Sequence, residues 1–95
     1  MNIYNVIIKE KLKEKLIKLP KHIVVKLYNW VDAVSQDGLM EVRRVPGYHD
    51  EPLSGSLKGK RSIRLSKAYR AIYEIKKNQQ MELVEIVEVN KHDYS

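Results

Sequence analysis

The sequence predicts one α+β domain in which a short strand and a helical hairpin pack on a small antiparallel sheet. Two patterns in the 95 residues support this fold class. Between residues 10 and 34 the apolar side chains recur every three or four positions, as on one face of a helix. From residue 61 onward apolar and polar side chains alternate, as in strands with one buried face. A chain of this length suits a single domain spanning residues 1–95.

The first half of the chain predicts one strand followed by two helices. Residues 3–8, IYNVII, are apolar and β-branched, which favours a strand, and we expect it at an edge of the sheet. Helical spacing of leucines predicts a first helix over residues 10–19. A second helix begins after Pro20 and ends at the Asp-Gly pair 37–38. Residues 39–45 could add another helical turn or two.

The second half predicts a long loop and then a meander of three strands. The loop, residues 46–60, contains two prolines and three glycines, and long loops in compact domains are often functional. Period-two patterning predicts strands over residues 61–66, 68–77 and 81–89. The third is apolar on both faces, which indicates a central strand covered by the helices on one side.

Charge is concentrated in one hairpin of the predicted meander. The net charge is +6, from 18 basic and 12 acidic residues. Six cations and no acid lie between residues 58 and 70, namely Lys58, Lys60, Arg61, Arg64, Lys67 and Arg70. A focused cationic patch attracts polyanions, of which nucleic acid is the commonest inside a cell. The alternative interpretation is an ordinary solvated, lysine-rich surface.

Several classes of site and location are disfavoured by what the sequence lacks. It has no cysteine, which excludes disulfides and thiolate metal sites and fits an intracellular protein. The N-terminal apolar run is too short for a signal peptide or a membrane span, so we expect a soluble, cytoplasmic protein. No HxxxH pair, Walker loop, GxGxxG or serine elbow occurs, so no metal and no small-molecule cofactor is expected.

The remaining candidates for chemistry are cations, histidines and a tyrosine. His49 lies in the long loop beside two acids, where a turn residue and a functional residue are equally plausible. His92 follows the third strand, between Lys91 and Tyr94, and the end of a strand often faces a cleft. These groups could share a bound phosphate with the basic hairpin.

Such a set suits the cleavage of RNA. The 2′-hydroxyl must lose a proton and attack the adjacent phosphorus, and the 5′-oxygen must gain a proton as it leaves. Cations around the five-coordinate intermediate lower the barrier electrostatically. Histidine titrates near neutrality and can act as acid or base, whereas tyrosine and lysine need neighbouring cations to lower their pKa. Arginine binds phosphate through its planar fork of donors.

Five short segments occur in order over residues 46–94. They are PLSG at 52–55, KGKR at 58–61, SIRL at 62–65, YRAIY at 69–73 and KHDY at 91–94. In this order they resemble the RelE/HigB superfamily of bacterial toxins, which includes YoeB- and YafQ-like members. The order of elements in the N-terminal half is also similar. Two positions differ, since many relatives have lysine at the place of Ser54 and some have a terminal histidine at that of Ser95.

The resemblance implies a RelE-like fold and the toxin half of a toxin–antitoxin pair. Members of the superfamily typically cut mRNA in the ribosomal A site without a metal, and a small cognate antitoxin holds them inactive. The implied partners are therefore an antitoxin, the ribosome and mRNA, with no membrane and no cofactor.

The resemblance also assigns candidate roles to individual residues. The implied catalytic residues are Glu51, Arg64, Arg70, Lys91, His92 and Tyr94. Arg70 matches the arginine of the aromatic-Arg strand, and Glu51 falls just before PLxG, where relatives can carry a catalytic acid or histidine. The candidates for binding RNA phosphates are His49, Lys58, Lys60 and Arg61.

A second interpretation is a non-catalytic RNA- or protein-binding module on the same fold, with another target such as DNA gyrase. The ParE-like branch of the superfamily acts in that way, and its members tend to lack the basic, tyrosine-bearing tail. The presence of His92 and Tyr94 therefore favours the endonuclease.

Overall fold

A computed structural model describes residues 2–79 and 81–91 and has the predicted α+β architecture. The helices are α1 (Glu10–Leu16), α2 (Lys21–Asp37) and α3 (Leu39–Val42), and the strands are β1 (Val6–Ile8), β2 (Glu51–Pro52), β3 (Arg61–Arg64), β4 (Tyr69–Asn78) and β5 (Met81–Lys91). Two short 3₁₀ turns, Pro46–Tyr48 and Gly55–Leu57, lie on either side of β2. None of the described helices is both long and apolar enough to cross a membrane.

The five strands form one mixed sheet in the order β1-β5-β4-β3-β2. The antiparallel meander β3-β4-β5 is confirmed, and so are the inner position of β5 and the edge position of β1. The expectation of a purely antiparallel sheet needs a correction, because β1 runs parallel to β5. A parallel pair needs a long crossover, and the helices together with the meander provide it. The two-residue strand β2 was not predicted, and it pairs with β3 at the opposite edge.

All three helices pack on one face of this sheet around a single core. The buried apolar side chains of the helices are Leu12, Leu16, Ile23, Leu27, Trp30, Val34, Leu39 and Val42. They contact a layer from the meander made of Ile63, Leu65, Ala71, Tyr73, Val84, Ile86 and Val89. The Trp30 ring lies 5.1 Å from that of Tyr73, within the range of favourable aromatic pairs. The apolar stripe read from α2 is therefore the face that meets the sheet.

The predicted stop after α2 is a corner that also holds the N-terminal segment. Gly38 has a φ of 89°, which glycine adopts without strain, and a side chain there would collide with Asn2. The Asn2 carboxamide oxygen accepts from the backbone N–H of Met40 at 2.8 Å, and Leu39 N donates to Ile3 O at 2.8 Å. These bonds place the chain that leads into β1 against the start of α3.

Candidate functional site

The face of the sheet that points away from the helices carries a groove, called here the open-face groove. Side chains alternate along strands, so even-numbered residues of β3 and β4 point to this face. The groove has a volume of about 420 Å³. Its lining residues are Leu53, Leu57, Ser62, Arg70, Ile72, Asn90 and Lys91. Apolar walls with a few convergent polar groups are typical of ligand sites.

Arg70 provides the main positive charge of the open-face groove. It lies on β4 between Arg64 of β3 and Asn90 of β5, so two arginines are neighbours on the same face. Its side chain is 30% exposed. The flanking strands hold its backbone in place, and its planar donors can bind two oxygens of one phosphate. The predicted site residues Arg64 and Arg70 are thus brought together.

Glu51 reaches the same arginine from the edge of the sheet. Its Oε1 accepts a hydrogen bond from Arg70 Nη2 at 2.5 Å. The carboxylate is 53% exposed, so this ion pair lies at the rim of the groove rather than in its floor. The Glu51 carboxylate therefore lies where the oxygens of a bound phosphate would contact the Arg70 guanidinium.

One lysine lines the groove, and a second contacts Asn90, which is one of the lining residues. Lys91, a predicted site residue, ends β5 and lines the groove beside Asn90. Lys15 of α1, which sequence reasoning missed, donates from Nζ to Asn90 Oδ1 at 3.4 Å. Helix α1 follows the short strand β1 and contacts β5, which lets Lys15 reach the Asn90 side chain. The only available sequence signal was the charged face of α1, which does not specify this contact.

Arg61 belongs to the same basic hairpin but points to the helix side. Its Nε donates to Asp50 Oδ1 at 2.6 Å, and the Tyr73 hydroxyl donates to Asp50 Oδ2 at 2.5 Å. Arg43 completes the group with Nε 3.4 Å from the Tyr73 oxygen. The Asp50 side chain is 1% exposed, so this is a buried charged network. The structure separates Arg61 from the phosphate-binding residues with which the sequence had grouped it.

The network changes the protonation of two of its members. Burial, together with the hydrogen bond to Asp50, raises the pKa of Tyr73 to about 12. Burial alone would lower the pKa of Arg61, but the hydrogen bond and charge of Asp50 outweigh it and the pKa is raised. Tyr73 thus remains a neutral donor and Arg61 a cation across the physiological range.

The other predicted phosphate-binding residues lie in the connections around β2. His49 is exposed and has a left-handed backbone with a φ of 46°. Lys58 is exposed after the second 3₁₀ turn, and Lys60 leads into β3. None of these three lines the open-face groove, although they precede and follow Leu53 and Leu57 in the same connection.

The remaining candidates concern proton transfer and metal binding. The predicted proton carriers His92 and Tyr94 lie outside the described residues. Within residues 2–79 and 81–91 no three His, Cys, Asp or Glu side chains are grouped so that they could hold a metal ion.

Comparison with solved structures identifies the fold. A chain of the toxin–antitoxin complex RelBE2 from Mycobacterium tuberculosis superposes with a TM-score of 0.65 at 23% identity, over 95% of this chain and 99% of that one. The chain has a RelE-like toxin fold. YafQ from E. coli gives a TM-score of 0.67 at 16% identity, over 93% of this chain and 92% of that one. The YoeB/ParE toxin from Agrobacterium tumefaciens gives 0.62 at 17% identity, over 94% of this chain and 99% of that one.

The likeness is one of fold, because sequence identity is low throughout. No protein-family model matches the sequence, and no curated protein matches it significantly. The RelE-like fold nevertheless extends over nearly the whole length of both chains in these superpositions. The fold expected from the ordered segments in residues 46–94 is thereby confirmed.

Proposed function

We propose that this protein is the toxin of a toxin–antitoxin module and that it cuts mRNA on the ribosome. The observation that carries the proposal is Arg70, held on the open face of a RelE-like sheet beside Arg64 and within reach of the Glu51 carboxylate. A cation fixed by flanking strands can stabilise the charge that develops on a phosphate in the transition state. The toxins of the same fold support the assignment by analogy.

The proposed reaction uses the RNA's own 2′-hydroxyl as nucleophile. The hydroxyl loses its proton and attacks the adjacent phosphorus, and the bond to the 5′-oxygen breaks as that oxygen gains a proton. The products are a 2′,3′-cyclic phosphate and a 5′-hydroxyl. Arg70 stabilises the phosphorane, and Arg64 and Lys91 hold the neighbouring phosphates. The proton transfers are assigned to His92 or Tyr94 together with Glu51.

The proposed partners are the ribosome and a cognate antitoxin. The solved structure RelBE2 is a toxin–antitoxin complex, and an antitoxin for this chain follows by analogy. The net charge of +6 suits both an acidic antitoxin segment and ribosomal RNA. The exposed Lys58 and the nearby Lys60 are assigned to the rRNA backbone, since lysine contacts phosphates as a point charge. Action on ribosomes places the protein in the cytoplasm.

The test is cleavage of a defined mRNA in stalled translating ribosomes, mapped by primer extension in the presence of a chelator. Wild-type protein is compared with Arg70→Ala, for which we expect a loss of about 10²–10³-fold in cleavage rate, as when one transition-state donor is removed. Arg44→Ala is the matched control, because Arg44 is an exposed arginine that does not line the groove. Arg70 pairs with a carboxylate that is 53% exposed, so its removal leaves no buried charge.

Cuts in the A site that persist with Arg44→Ala and vanish with Arg70→Ala would support the endonuclease. Equal cleavage by wild type and Arg70→Ala would contradict the role of the groove. Intact mRNA with tightly bound wild-type protein would instead favour the non-catalytic binding module, and the target would then be sought elsewhere, DNA gyrase included.

A further inference from the structure

The floor of the open-face groove contains a hydroxyl group without a partner. Ser62 of β3 is 1% exposed, and its Oγ has no hydrogen-bond partner among the described residues. A buried polar group without a partner is rare and costly, because it has lost its hydrogen bonds to water. Ser62 lines the groove and its side chain points to the open face, so a ligand that displaces the side chains covering the hydroxyl can provide the missing bond.

The surroundings of Ser62 have the polarity of a site for a partly apolar group. Ile72 lies directly across from Ser62 on β4 and is 7% exposed, yet it is not part of the core between sheet and helices. The half-buried Leu53 and Leu57 complete the apolar walls of the groove. A pocket with aliphatic walls, a polar floor and a volume of about 420 Å³ matches the general character of small-ligand sites.

The same groove presents a phosphate-binding group beside this pocket. Arg70 lies two residues before Ile72 on β4 and points to the same face. Asn90 lies across from Arg70 on β5 and adds a second polar side chain to the lining. An apolar pocket with a hydrogen-bonding floor next to an arginine fits one nucleotide, with the base in the pocket and the phosphate on the guanidinium. Unstacked bases of single-stranded RNA are commonly recognised through hydrogen bonds to their edges.

We propose that the pocket takes one nucleobase adjacent to the scissile phosphate and that the Ser62 hydroxyl discriminates between bases by hydrogen bonding to its edge. This inference rests on the proposed function, since it takes RNA as the ligand. Ser62 is then a specificity-determining residue. A site built around a hydrogen bond rejects a ligand that leaves its buried polar group unpaired. The protein should therefore prefer certain bases at one position next to the cleavage site, namely those that hydrogen-bond to the Ser62 hydroxyl.

The first experiment measures cleavage in the ribosome assay on mRNAs that carry each of the four bases at each position of the A-site codon. Wild-type protein should prefer certain bases at one position, and Ser62→Ala should reduce that preference by about tenfold while leaving the other positions unchanged. Ser35→Ala is the matched control, because Ser35 is exposed on α2 and its hydroxyl donates to Asp32 O at 2.9 Å, far from the groove.

Folding of the variant is measured separately by thermal unfolding. Ser62→Ala should be at least as stable as wild type, because it removes a buried group that lacks a hydrogen bond. An unchanged preference at every codon position in a folded Ser62→Ala protein would overturn the inference.

A second experiment keeps the inference testable if wild-type protein cuts no mRNA. Uncleavable 2′-deoxy trinucleotides with each base at the centre are titrated into isotope-labelled protein and followed by NMR. Base-dependent shifts around Leu53, Leu57 and Ser62 that lose their base dependence in Ser62→Ala would support the nucleobase pocket even without cleavage. Binding of all four trinucleotides with equal affinity to wild type would overturn the inference independently of the proposed function.

Discussion

The two faces of the sheet carry two carboxylate–arginine pairs that differ in their surroundings. Asp50 and Glu51 are consecutive residues at β2, and alternation directs them to opposite faces. Asp50 binds Arg61 on the helix side with a side chain that is 1% exposed, and Glu51 binds Arg70 on the open side with one that is 53% exposed. A carboxylate–arginine ion pair is therefore buried on the helix side of the sheet and exposed to water on the open side.

This difference assigns the two pairs to different tasks. Both oxygens of the Asp50 carboxylate are hydrogen-bonded, since Arg61 bonds one and the Tyr73 hydroxyl bonds the other. Removing one partner of a buried charged pair is strongly destabilising, so this pair resists separation of the segments that supply it. The Arg70 guanidinium, by contrast, can exchange Glu51 for an incoming anion at low cost, because an exposed ion pair contributes little. The helix-side pair orders β2, and the open-side pair remains available to a ligand.

The largest expected difference between the two pairs is in stability. Asp50→Asn should lower the free energy of unfolding by about 3 kcal/mol, because it leaves the Arg61 charge without its buried partner. Glu51→Gln makes the same chemical change one residue away and should cost less than about 1 kcal/mol. Urea unfolding followed by circular dichroism measures both. Equal losses for the two variants would remove the proposed distinction between the faces.

The second prediction concerns alkaline pH and isolates the tyrosine of the buried network. The pKa of Tyr73 is raised from 10.0 to about 12 by burial and by its bond to Asp50. Below pH 10 both the folded and the unfolded chain keep this proton, and its contribution to stability is fully present. Between pH 10 and about 12 the unfolded chain releases the proton first, so the free energy of unfolding falls by about 2 kcal/mol.

Tyr73→Phe should remove this part of the pH dependence, and Tyr28→Phe, on the exposed side of α2, should keep it. The measurement is urea unfolding at a series of pH values from 8 to about 12, with each variant compared to wild type. A wild-type profile that matches Tyr73→Phe throughout would mean that the tyrosine does not hold its proton more tightly in the folded state.

The larger elements of the fold were predicted from the sequence, because the local spacing of apolar residues determines where a long helix or strand forms. The apolar stripe of α2 predicted its extent to Asp37, and alternation predicted the three strands of the meander. The first helix was predicted three residues too long. It ends at Leu16, and Ile17 beyond it is 85% exposed. Pro20 disfavours helical backbone in the residue before it, which promotes an early end.

The features that were missed depend on pairing between distant segments. The direction of β1 is not encoded in its three residues, since a short apolar strand can pair in either sense with β5. Strand β2 consists of two residues inside a loop rich in glycine and proline, and only β3 makes it a strand. The contact of Lys15 with Asn90 likewise depends on how α1 lies against the sheet.

Two residues that line the open-face groove, Arg70 and Lys91, were among the site residues predicted from the sequence, but the grouping of the candidates was not predicted. Alternation alone places Arg64 on the opposite face from Ile63, and Arg61 on the same face as Ile63, so the separation of the arginines was present in the sequence. The partner of Arg61 was not, because Asp50 lies in the irregular loop and its register with β3 cannot be derived from local pattern. The Ser62 hydroxyl, which has no partner within residues 2–79 and 81–91, depends on the burial of its surroundings and has no sequence signal of its own.

The smallest expected effect lies on the open face and concerns RNA affinity. Glu51→Gln removes a carboxylate that competes with phosphate for Arg70, so single-stranded RNA should bind about fivefold tighter, which corresponds to the roughly 1 kcal/mol of an exposed ion pair. The salt dependence should also steepen by about 0.7 in logarithmic slope, as for one additional phosphate contact. Fluorescence anisotropy with an uncleavable RNA at several salt concentrations measures both quantities.

The matched control is Glu10→Gln, which changes the net charge equally on the exposed surface of α1, where Glu10 pairs with Lys13. If the two variants gain affinity by the same factor, the effect is one of overall charge and Glu51 does not compete for Arg70. Cleavage is measured in parallel on ribosomes. Tighter binding together with slower cutting in Glu51→Gln would identify the carboxylate as a proton carrier, because a group that only competes with substrate cannot slow the chemical step when it is removed.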